Sequence, residues 1–329
     1  MRISVLGAGA WGTALALRLA GHIPVTLWSR SAEHAGNMQR ERENRRYLPG
    51  HFLPPGLTAS ADFSRATADA DLLIAAVPSN AFRSLALALS QSGVSPPLVW
   101  LCKGLEVGSQ KLPHAVLAEA WPDHPPAAVL SGPSFAQEVA QGLPAALTVA
   151  SVDAEFARRV ARELHDPMLR LYASTDVIGV ELGGAVKNVV AIAAGISDGL
   201  GFGLNARAAL VTRGLAELTR LGLKQGGRPE TFMGLSGMGD LILTCTGDLS
   251  RNRQLGLRLA AGESLEGALR ELGHVAEGAS TALELARLAR ESGVDMPITE
   301  AVTQILNQDL PPREAVAALL ARDLKDEGG

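Results

Sequence analysis

Two lysines and one aspartate stand in parts of the chain that are otherwise mostly apolar or glycine-rich. Lys187 interrupts the apolar run ELGGAVKNVV at residues 181–190, Lys103 follows the apolar segment LVWLC, and Asp240 closes the segment LSGMGD. An unpaired buried lysine is costly, and desolvation lowers its pKa toward the range used in proton transfer. These residues predict an acid–base site in which Asp240 orients an ammonium or a substrate hydroxyl. The alternative is that Lys187 reaches solvent from a helix edge.

A possible anion site precedes an alanine- and leucine-rich helical pattern. Ser250 is a good N-cap residue, and Arg251 and Asn252 follow it directly. The first helical N–H groups, together with these two side chains, suit a phosphate ester. The alternative is a capped helix start with no ligand.

Three glycines, at positions 7, 9 and 12, lie in the segment GAGAWG. A short branched apolar run precedes them and a run of helix formers follows, so they lie at a strand-to-helix turn. In that context Gly7 makes the turn, Gly9 lets the backbone approach a pyrophosphate, and Gly12 lets the helix pack closely. The pattern predicts a dinucleotide site at the amino end of the helix.

The end of the second predicted strand favours NADPH over NADH. Many NAD-binding folds place a carboxylate at this position, but here the chain reads Trp28-Ser29-Arg30. A hydroxyl and a guanidinium can bind a 2′-phosphate that a carboxylate would repel. The same site can also accept NADH. The alternative interpretation is that Arg30 is a solvated surface residue that binds no cofactor.

Strand and helix patterns divide the chain into two parts. Strands are predicted at residues 1–6, 23–28, 71–77, 98–102, 146–150 and 169–173, alternating with helices. From about residue 175, helices are predicted at 177–199, 205–222, 252–262, 265–273, 280–293 and 298–307, with GLGFG at 199–203 as a helix-to-helix connection. We therefore expect an α/β fold: a Rossmann-like, doubly wound, mostly parallel sheet at 1–174, followed by an all-helical domain at 175–329.

Composition and charge exclude several classes of function. The 329 residues are 47% hydrophobic and 19% charged, and the net charge is −4. These values give no electrostatic signal for nucleic acid or for a membrane surface, and we expect no membrane span and no cleaved leader. Two cysteines fit a reducing, cytoplasmic location, and no histidine spacing suggests a metal.

Two further turns carry polar residues near the predicted sheet edge and the predicted helices. In SGPSFA, residues 131–136, Ser134 can reach a phosphate or a carbonyl. The residue types in the turn GHVAEG at 273–278 do not by themselves indicate a function. We expect these residues to converge on one crevice beyond the carboxyl ends of the strands.

Taken together, the motifs resemble the bacterial NAD(P)-dependent glycerol-3-phosphate dehydrogenase family. GAGAWGTALA, LCKGLE, SGPSFAQE, ELGGAVKNVVAIAAGISDGLG, TFMGLSGMGDLILTC and SRNR occur in the family's order over nearly the whole chain. The resemblance implies a helical domain similar to that of 6-phosphogluconate dehydrogenase and a cytoplasmic homodimer or a related small oligomer. It also implies interconversion of dihydroxyacetone phosphate and sn-glycerol 3-phosphate for phospholipid synthesis.

The resemblance also implies a role for each matching residue. Lys187 corresponds to the catalytic lysine, with Lys103 as a second cation at the same oxygen and Asp240 beside them. Substrate contacts are implied for Lys103, Gly132, Ser134, Lys187, Asp240, Ser250, Arg251 and Asn252. Cofactor contacts are implied for Trp11, Arg30, Lys103, Ala136, Arg251, Val275 and Glu277. They add to the contacts expected from the glycine turn and the end of the second strand, which are Gly7, Gly9, Ala10, Gly12 and Ser29.

Two other functions remain open at this level. An NADP-linked dehydrogenase of the β-hydroxyacid type would share the architecture but act on a carboxylate. A redox sensor would bind NADPH without turning it over, although the combination of Lys187, Asp240 and the SRN segment argues against it.

Overall fold

The amino-terminal half is built on an eight-stranded sheet. A computed structural model describes residues 1–273, 276–307 and 310–320. The strands in these residues are β1 (Ile3–Leu6), β2 (Val25–Trp28), β3 (Glu43–Asn44), β4 (Leu48–Phe52), β5 (Leu57–Ser60), β6 (Leu72–Ala75), β7 (Leu98–Trp100), β8 (Ala127–Ser131), β9 (Ala145–Ala150) and β10 (Leu169–Ser174). Strands β3 and β4 form a separate antiparallel hairpin.

The sheet has the order β10-β9-β8-β7-β6-β1-β2-β5. All neighbours are parallel except β8 and β9, which pair antiparallel. This confirms the predicted mostly parallel sheet. The order reverses at β1, where β2 pairs on one side and β6 on the other, and this switch point is where doubly wound sheets bind ligands.

Helices cover both faces of the sheet. Between the strands lie α1 (Ala10–Leu19), α2 (Ala32–Glu41), α3 (Phe63–Ala68), α4 (Ser79–Ser92), α5 (Pro113–Ala120), α6 (Ala136–Ala140) and α7 (Ala154–Glu163). The carboxyl-terminal half is helical, as predicted, with α8 (Val177–Gly199), α9 (Gly203–Lys224), α10 (Pro229–Phe232), a π-helical turn (Leu235–Gly239), α11 (Asp240–Thr246), α12 (Arg251–Ala260), α13 (Leu265–Glu271), α14 (Glu277–Glu291), α15 (Pro297–Asn307) and α16 (Pro312–Leu320). The segment GLGFG does connect α8 to α9.

Sequence patterns missed several elements. Strands β5 and β8 were not predicted, because LTAS is very short and AAVLS is rich in alanine, which strands disfavour. The β3–β4 hairpin was missed because a proline, a glycine and charged residues interrupt its alternation. Helices α10, α11 and α16 and the π-helical turn were also absent from the prediction.

Helix α8 is the centre of the helical half. It is 23 residues long and, by length and composition alone, apolar enough to cross a membrane. However, 94% of its apolar window is buried inside the protein, against helices that include α9, α11, α12 and α14. It is therefore the core helix of the second half, and its few polar residues are held inside the structure.

Helices α8 and α12 touch through their backbones. A Cβ atom added to Gly256 would lie 2.1 Å from the carbonyl oxygen of Ile192, and one added to Gly195 would lie 2.0 Å from that of Arg253. Only glycine permits this approach, which sets the distance between the helix carrying Lys187 and the helix that begins at Arg251.

We expect Gly256→Ala to lower the free energy of unfolding by about 3 kcal/mol, because the added methyl group must force two buried helices apart. Urea denaturation followed by circular dichroism measures the change. Gly36→Ala is the matched control: it lies within α2, where an added Cβ meets no atom within 4 Å, and it should raise stability by about 0.5–1 kcal/mol. A Gly256→Ala protein as stable as the unmodified chain would contradict the packing argument.

Candidate active site

The glycine turn between β1 and α1 has the form that the sequence predicted. Gly7 has a φ of +127°, and a Cβ there would lie 2.4 Å from the carbonyl oxygen of Ala76. A Cβ on Gly12 would lie 2.1 Å from the carbonyl oxygen of Gly7, whereas a Cβ on Gly9 would meet nothing within 4 Å. Gly7 and Gly12 therefore make the turn compact, and Gly9 borders open space.

A dinucleotide fits this turn. Gly9 is the N-cap of α1 and no side chain caps that end of the helix. The unpaired N–H groups and the positive dipole end of α1 therefore remain available for a pyrophosphate. Ala10 and Trp11, in the first turn of α1, are both partly exposed at this site.

The end of β2 presents an exposed Arg30 and a buried Ser29. The Ser29 hydroxyl lies 3.3 Å from Nδ1 of His34 and accepts a hydrogen bond from the backbone N–H of Ser31. The hydroxyl of Ser29 is therefore engaged within the protein. Arg30 is the residue at this strand end whose charge faces solvent, where a 2′-phosphate would bind.

Lys187 and Lys103 meet on one carboxylate at the junction of the two halves. Lys103 Nζ donates to Asp240 Oδ2 at 2.8 Å, and Lys187 Nζ donates to Asp240 Oδ1. Asp240 is 1% exposed and Lys187 is 7% exposed. Two ammonium groups from different parts of the fold thus share a single buried negative charge.

Burial sets the protonation of Lys187. Desolvation lowers the pKa of Lys187 to about 8, the Lys103 ammonium acts in the same direction, and the Asp240 carboxylate opposes both. A lysine with this pKa can both donate and accept a proton near neutral pH.

The π-helical turn aims Asp240 at the lysines. It ends at Gly239, directly before Asp240, and such turns often occur at functional sites. Helix α8 approaches the turn closely, because a Cβ on Gly183 would lie 2.2 Å from the carbonyl oxygen of Ser236. Thr244 then fixes the start of α11, since its hydroxyl donates to the Asp240 carbonyl oxygen at 2.6 Å. Sequence reasoning missed Thr244, although its position one helical turn after Asp240 was a usable signal.

The SRN segment forms the capped helix start that was expected. The Ser250 hydroxyl accepts from the N–H of Arg253 at 3.3 Å, and Arg251 is exposed. Asn252 is buried: its Nδ2 donates to Asn188 Oδ1 at 2.9 Å, and its Oδ1 accepts from the N–H of Gly278 at 3.0 Å. The amide of Asn252 therefore joins the starts of α12 and α14 to the residue after Lys187.

The turn after β8 lies against Lys103. Gly132 has a φ of +143°, and its carbonyl oxygen accepts from Lys103 Nζ at 3.3 Å and from the Ser134 hydroxyl at 3.1 Å. Ala136 begins the short helix α6 just beyond. Gly132 and Ser134 are thus beside the lysine cluster, and Ala136 lies two residues further along the chain.

Glu277 also reaches this junction. Burial raises the pKa of Glu277, while Arg251, Lys103 and Lys187 oppose that rise and the backbone N–H of Ser79 hydrogen-bonds to the carboxylate. Ser79 starts α4 in the sheet half, so Glu277 links the two halves. Val275, which was also predicted to contact the cofactor, lies outside the described residues.

Neither a metal cluster nor a disulfide is present in the residues that the structure describes. No group of three or more histidine, cysteine, aspartate or glutamate side chains there could hold a metal ion. Cys102 and Cys245 are both free and buried, and burial raises the pKa of each thiol.

Two family models and several curated relatives match this chain over nearly its whole length. Residues 2–157 match the family model for the NAD-dependent glycerol-3-phosphate dehydrogenase N-terminus, and residues 176–317 match the model for the C-terminus of the same family. The chain is 58% identical to glycerol-3-phosphate dehydrogenase [NAD(P)+] of Thiobacillus denitrificans over 99% of this chain and 100% of that protein. It is also 58% identical to the enzyme of the same name from Nitrosospira multiformis, over 99% of each chain.

A solved structure agrees over the same length. The crystal structure of glycerol-3-phosphate dehydrogenase from Coxiella burnetii superposes with a TM-score of 0.94 at 43% identity, covering 98% of this chain and 99% of that one. With both family models and these relatives spanning the fold and the lysine site, the chain belongs to the NAD-dependent glycerol-3-phosphate dehydrogenase family.

Proposed function

We propose that this chain catalyses the reversible NAD(P)H-dependent reduction of dihydroxyacetone phosphate to sn-glycerol 3-phosphate, with Lys187 as general acid and base. The observation that carries the proposal is the pairing of Lys187 and Lys103 on buried Asp240, at the junction between the glycine-turn half and the helical half. The curated relatives carry the corresponding enzyme name.

Lys187 supplies the proton. When bound, the nicotinamide cofactor supplies the hydride to the substrate's carbonyl carbon. Negative charge then grows on the carbonyl oxygen, so a nearby ammonium stabilises the transition state more than the ground state. Lys187 donates its proton to that oxygen in reduction and accepts it in oxidation, while Lys103 adds a second positive charge and Asp240 orients both ammonium groups.

The phosphate end of the substrate binds at the start of α12. Arg251 provides a charged donor, Ser250 and Asn252 lie on either side of it, and the helix terminus favours an anion. Gly132 and Ser134 complete the substrate contacts beside Lys103. Binding the phosphate at a distance from the reacting carbon holds the carbonyl in place for the chemical step.

The cofactor lies along the switch point of the sheet in this proposal. The glycine turn would hold its pyrophosphate, Arg30 would hold its 2′-phosphate, and the lysine cluster would lie at its nicotinamide end. The absence of a carboxylate after Trp28 favours NADPH, with NADH also accepted. The full set of proposed cofactor contacts is Gly7, Gly9, Ala10, Trp11, Gly12, Ser29, Arg30, Lys103, Ala136, Arg251, Val275 and Glu277.

Three broader features belong to the same proposal. We infer a cofactor domain at residues 1–174 and a catalytic domain at 175–329, a homodimer, and a cytoplasmic role in supplying glycerophospholipid synthesis. The change from alternating strands and helices to helices alone after β10 supports the division.

The central test is NADPH oxidation on adding dihydroxyacetone phosphate. We expect turnover with this substrate and little with a carboxylate analogue, and Lys187→Ala should lower turnover by about 10²–10⁴-fold while NADPH still binds. Lys111→Ala, which removes a surface lysine paired with Glu119, is the matched control and should keep full activity. Turnover that survives in Lys187→Ala would refute the acid role. NADPH binding without turnover in the unmodified chain would instead favour a redox sensor that binds NADPH.

The pH dependence follows from the lowered pKa of Lys187, about 8. Below this value Lys187 is an ammonium and can donate, so the single-turnover rate of reduction should be constant there and fall about tenfold per pH unit above it. Oxidation needs the neutral amine, so its rate should rise with pH and level off above about 8. A reduction rate unchanged up to pH 10 would contradict this assignment.

Arg251→Ala should raise the KM for dihydroxyacetone phosphate by about tenfold or more, because a charge-assisted phosphate contact is lost. Steady-state kinetics at saturating NADPH measure the change, and direct NADPH binding measures any loss on the cofactor side. Arg258→Ala, on the same helix but paired with Glu263, is the control and should leave both constants unaltered. An unaltered KM in Arg251→Ala would show that Arg251 does not bind the substrate phosphate.

A further inference from the structure

The β3–β4 hairpin places one side chain directly on the glycine turn. Asn44, fully buried in the hairpin, donates from Nδ2 to the carbonyl oxygen of Ala8 at 3.0 Å and to the Thr13 hydroxyl at 2.7 Å. Ala8 lies within the glycine turn and Thr13 lies in the first turns of α1. A residue more than thirty positions away thus contacts both sides of the predicted pyrophosphate site.

The orientation of the Asn44 amide is fixed by its partners. The Ala8 carbonyl oxygen can only accept, so it must face Nδ2, and the Tyr47 N–H, which can only donate, faces Oδ1 at 3.3 Å. His34 Nε2 lies 2.9 Å from the same Oδ1 and therefore carries a proton. His34 Nδ1 in turn lies against the Ser29 hydroxyl. A chain of hydrogen bonds therefore runs from the end of β2 to the glycine turn.

This contact determines where the Gly9 N–H points. The Ala8 carbonyl and the Gly9 N–H belong to one peptide group, and no cis peptide bond occurs in the described residues. In a trans peptide the C=O and N–H point in opposite directions. Because Asn44 holds the carbonyl on one side, the N–H is directed to the other side, where Gly9 borders open space.

We propose that Asn44 is a positioning residue for the cofactor: held by His34, it orients the Ala8–Gly9 peptide so that the Gly9 N–H faces the pyrophosphate. This rests on the cofactor half of the proposed function. The pyrophosphate is common to NADPH and NADH, so Asn44 affects both cofactors equally. Arg30, at the 2′-phosphate, discriminates between them.

The test replaces Asn44 by aspartate, which keeps the shape but turns the donor toward Ala8 into an acceptor. Calorimetry measures binding of 2′-phospho-ADP-ribose, which contains the pyrophosphate, and of adenosine 2′-phosphate, which lacks it. We expect Asn44→Asp to raise the Kd of the first about tenfold or more and that of the second less than twofold. NADPH and NADH should weaken by the same factor.

Asn37→Asp is the matched control, since it adds the same charge on neighbouring α2, where its side chain accepts from Arg40 and does not reach the glycine turn. It should leave the ratio of the two Kd values unaltered. At saturating NADPH, Asn37→Asp should also keep the kcat and the KM for dihydroxyacetone phosphate of the unmodified chain.

His34 variants keep the proposal testable if Asn44→Asp does not fold. His34→Ala removes the donor that holds Oδ1 and should raise the Kd of 2′-phospho-ADP-ribose about threefold, whereas His34→Gln, whose amide can still donate, should restore it. Equal weakening of both ligands, or no weakening of either, overturns the proposal. These experiments measure binding and do not depend on turnover. A chain that fails to reduce dihydroxyacetone phosphate would therefore refute the proposed function but not the role of Asn44.

Discussion

A buried carboxylate shared by two ammonium groups is the interaction on which the rest of the site depends. Among the residues that the structure describes, Asp240 is the carboxylate that pairs with both Lys187 and Lys103, and losing it would leave two positive charges in a desolvated place. The same arrangement makes Lys187 a usable acid, since burial lowers its pKa while Asp240 prevents the pKa from falling further. Stability and reactivity are therefore coupled in one cluster.

Close backbone packing is what allows that cluster to form. Helix α8 carries Lys187 past the π-helical turn at Gly183 and past α12 at Gly195, and in both places a Cβ would lie within about 2.2 Å of a carbonyl oxygen. These contacts place Lys187, Asp240 and the start of α12 at fixed distances from one another. Three separate segments of sequence thereby act as one rigid site.

The cofactor end has its own organising contact, of a different kind. There the glycine turn supplies the space and the unpaired N–H groups, while Asn44 and His34 supply hydrogen bonds from a hairpin outside the sheet. Glu277 ties the two ends together, because its carboxylate reaches Ser79 of the sheet half and lies near Arg251. The Glu277 side chain thus bridges the junction at which we propose that the cofactor and the substrate meet.

The sequence by itself determined the fold class, the glycine turn and the lysines, because each depends on local order: apolar periodicity, the strand-to-helix context of Gly7 to Gly12, and polar residues interrupting an apolar helix. It did not determine β8, the antiparallel β8–β9 pair, the hairpin or the roles of Asn44 and Thr244. These features depend on which distant segments meet. The residues that flank an alanine-rich strand or a lone asparagine in the sequence do not indicate the segment that it contacts. Only the tertiary structure decided that Lys103 and Lys187, 84 positions apart in the printed sequence, share one carboxylate.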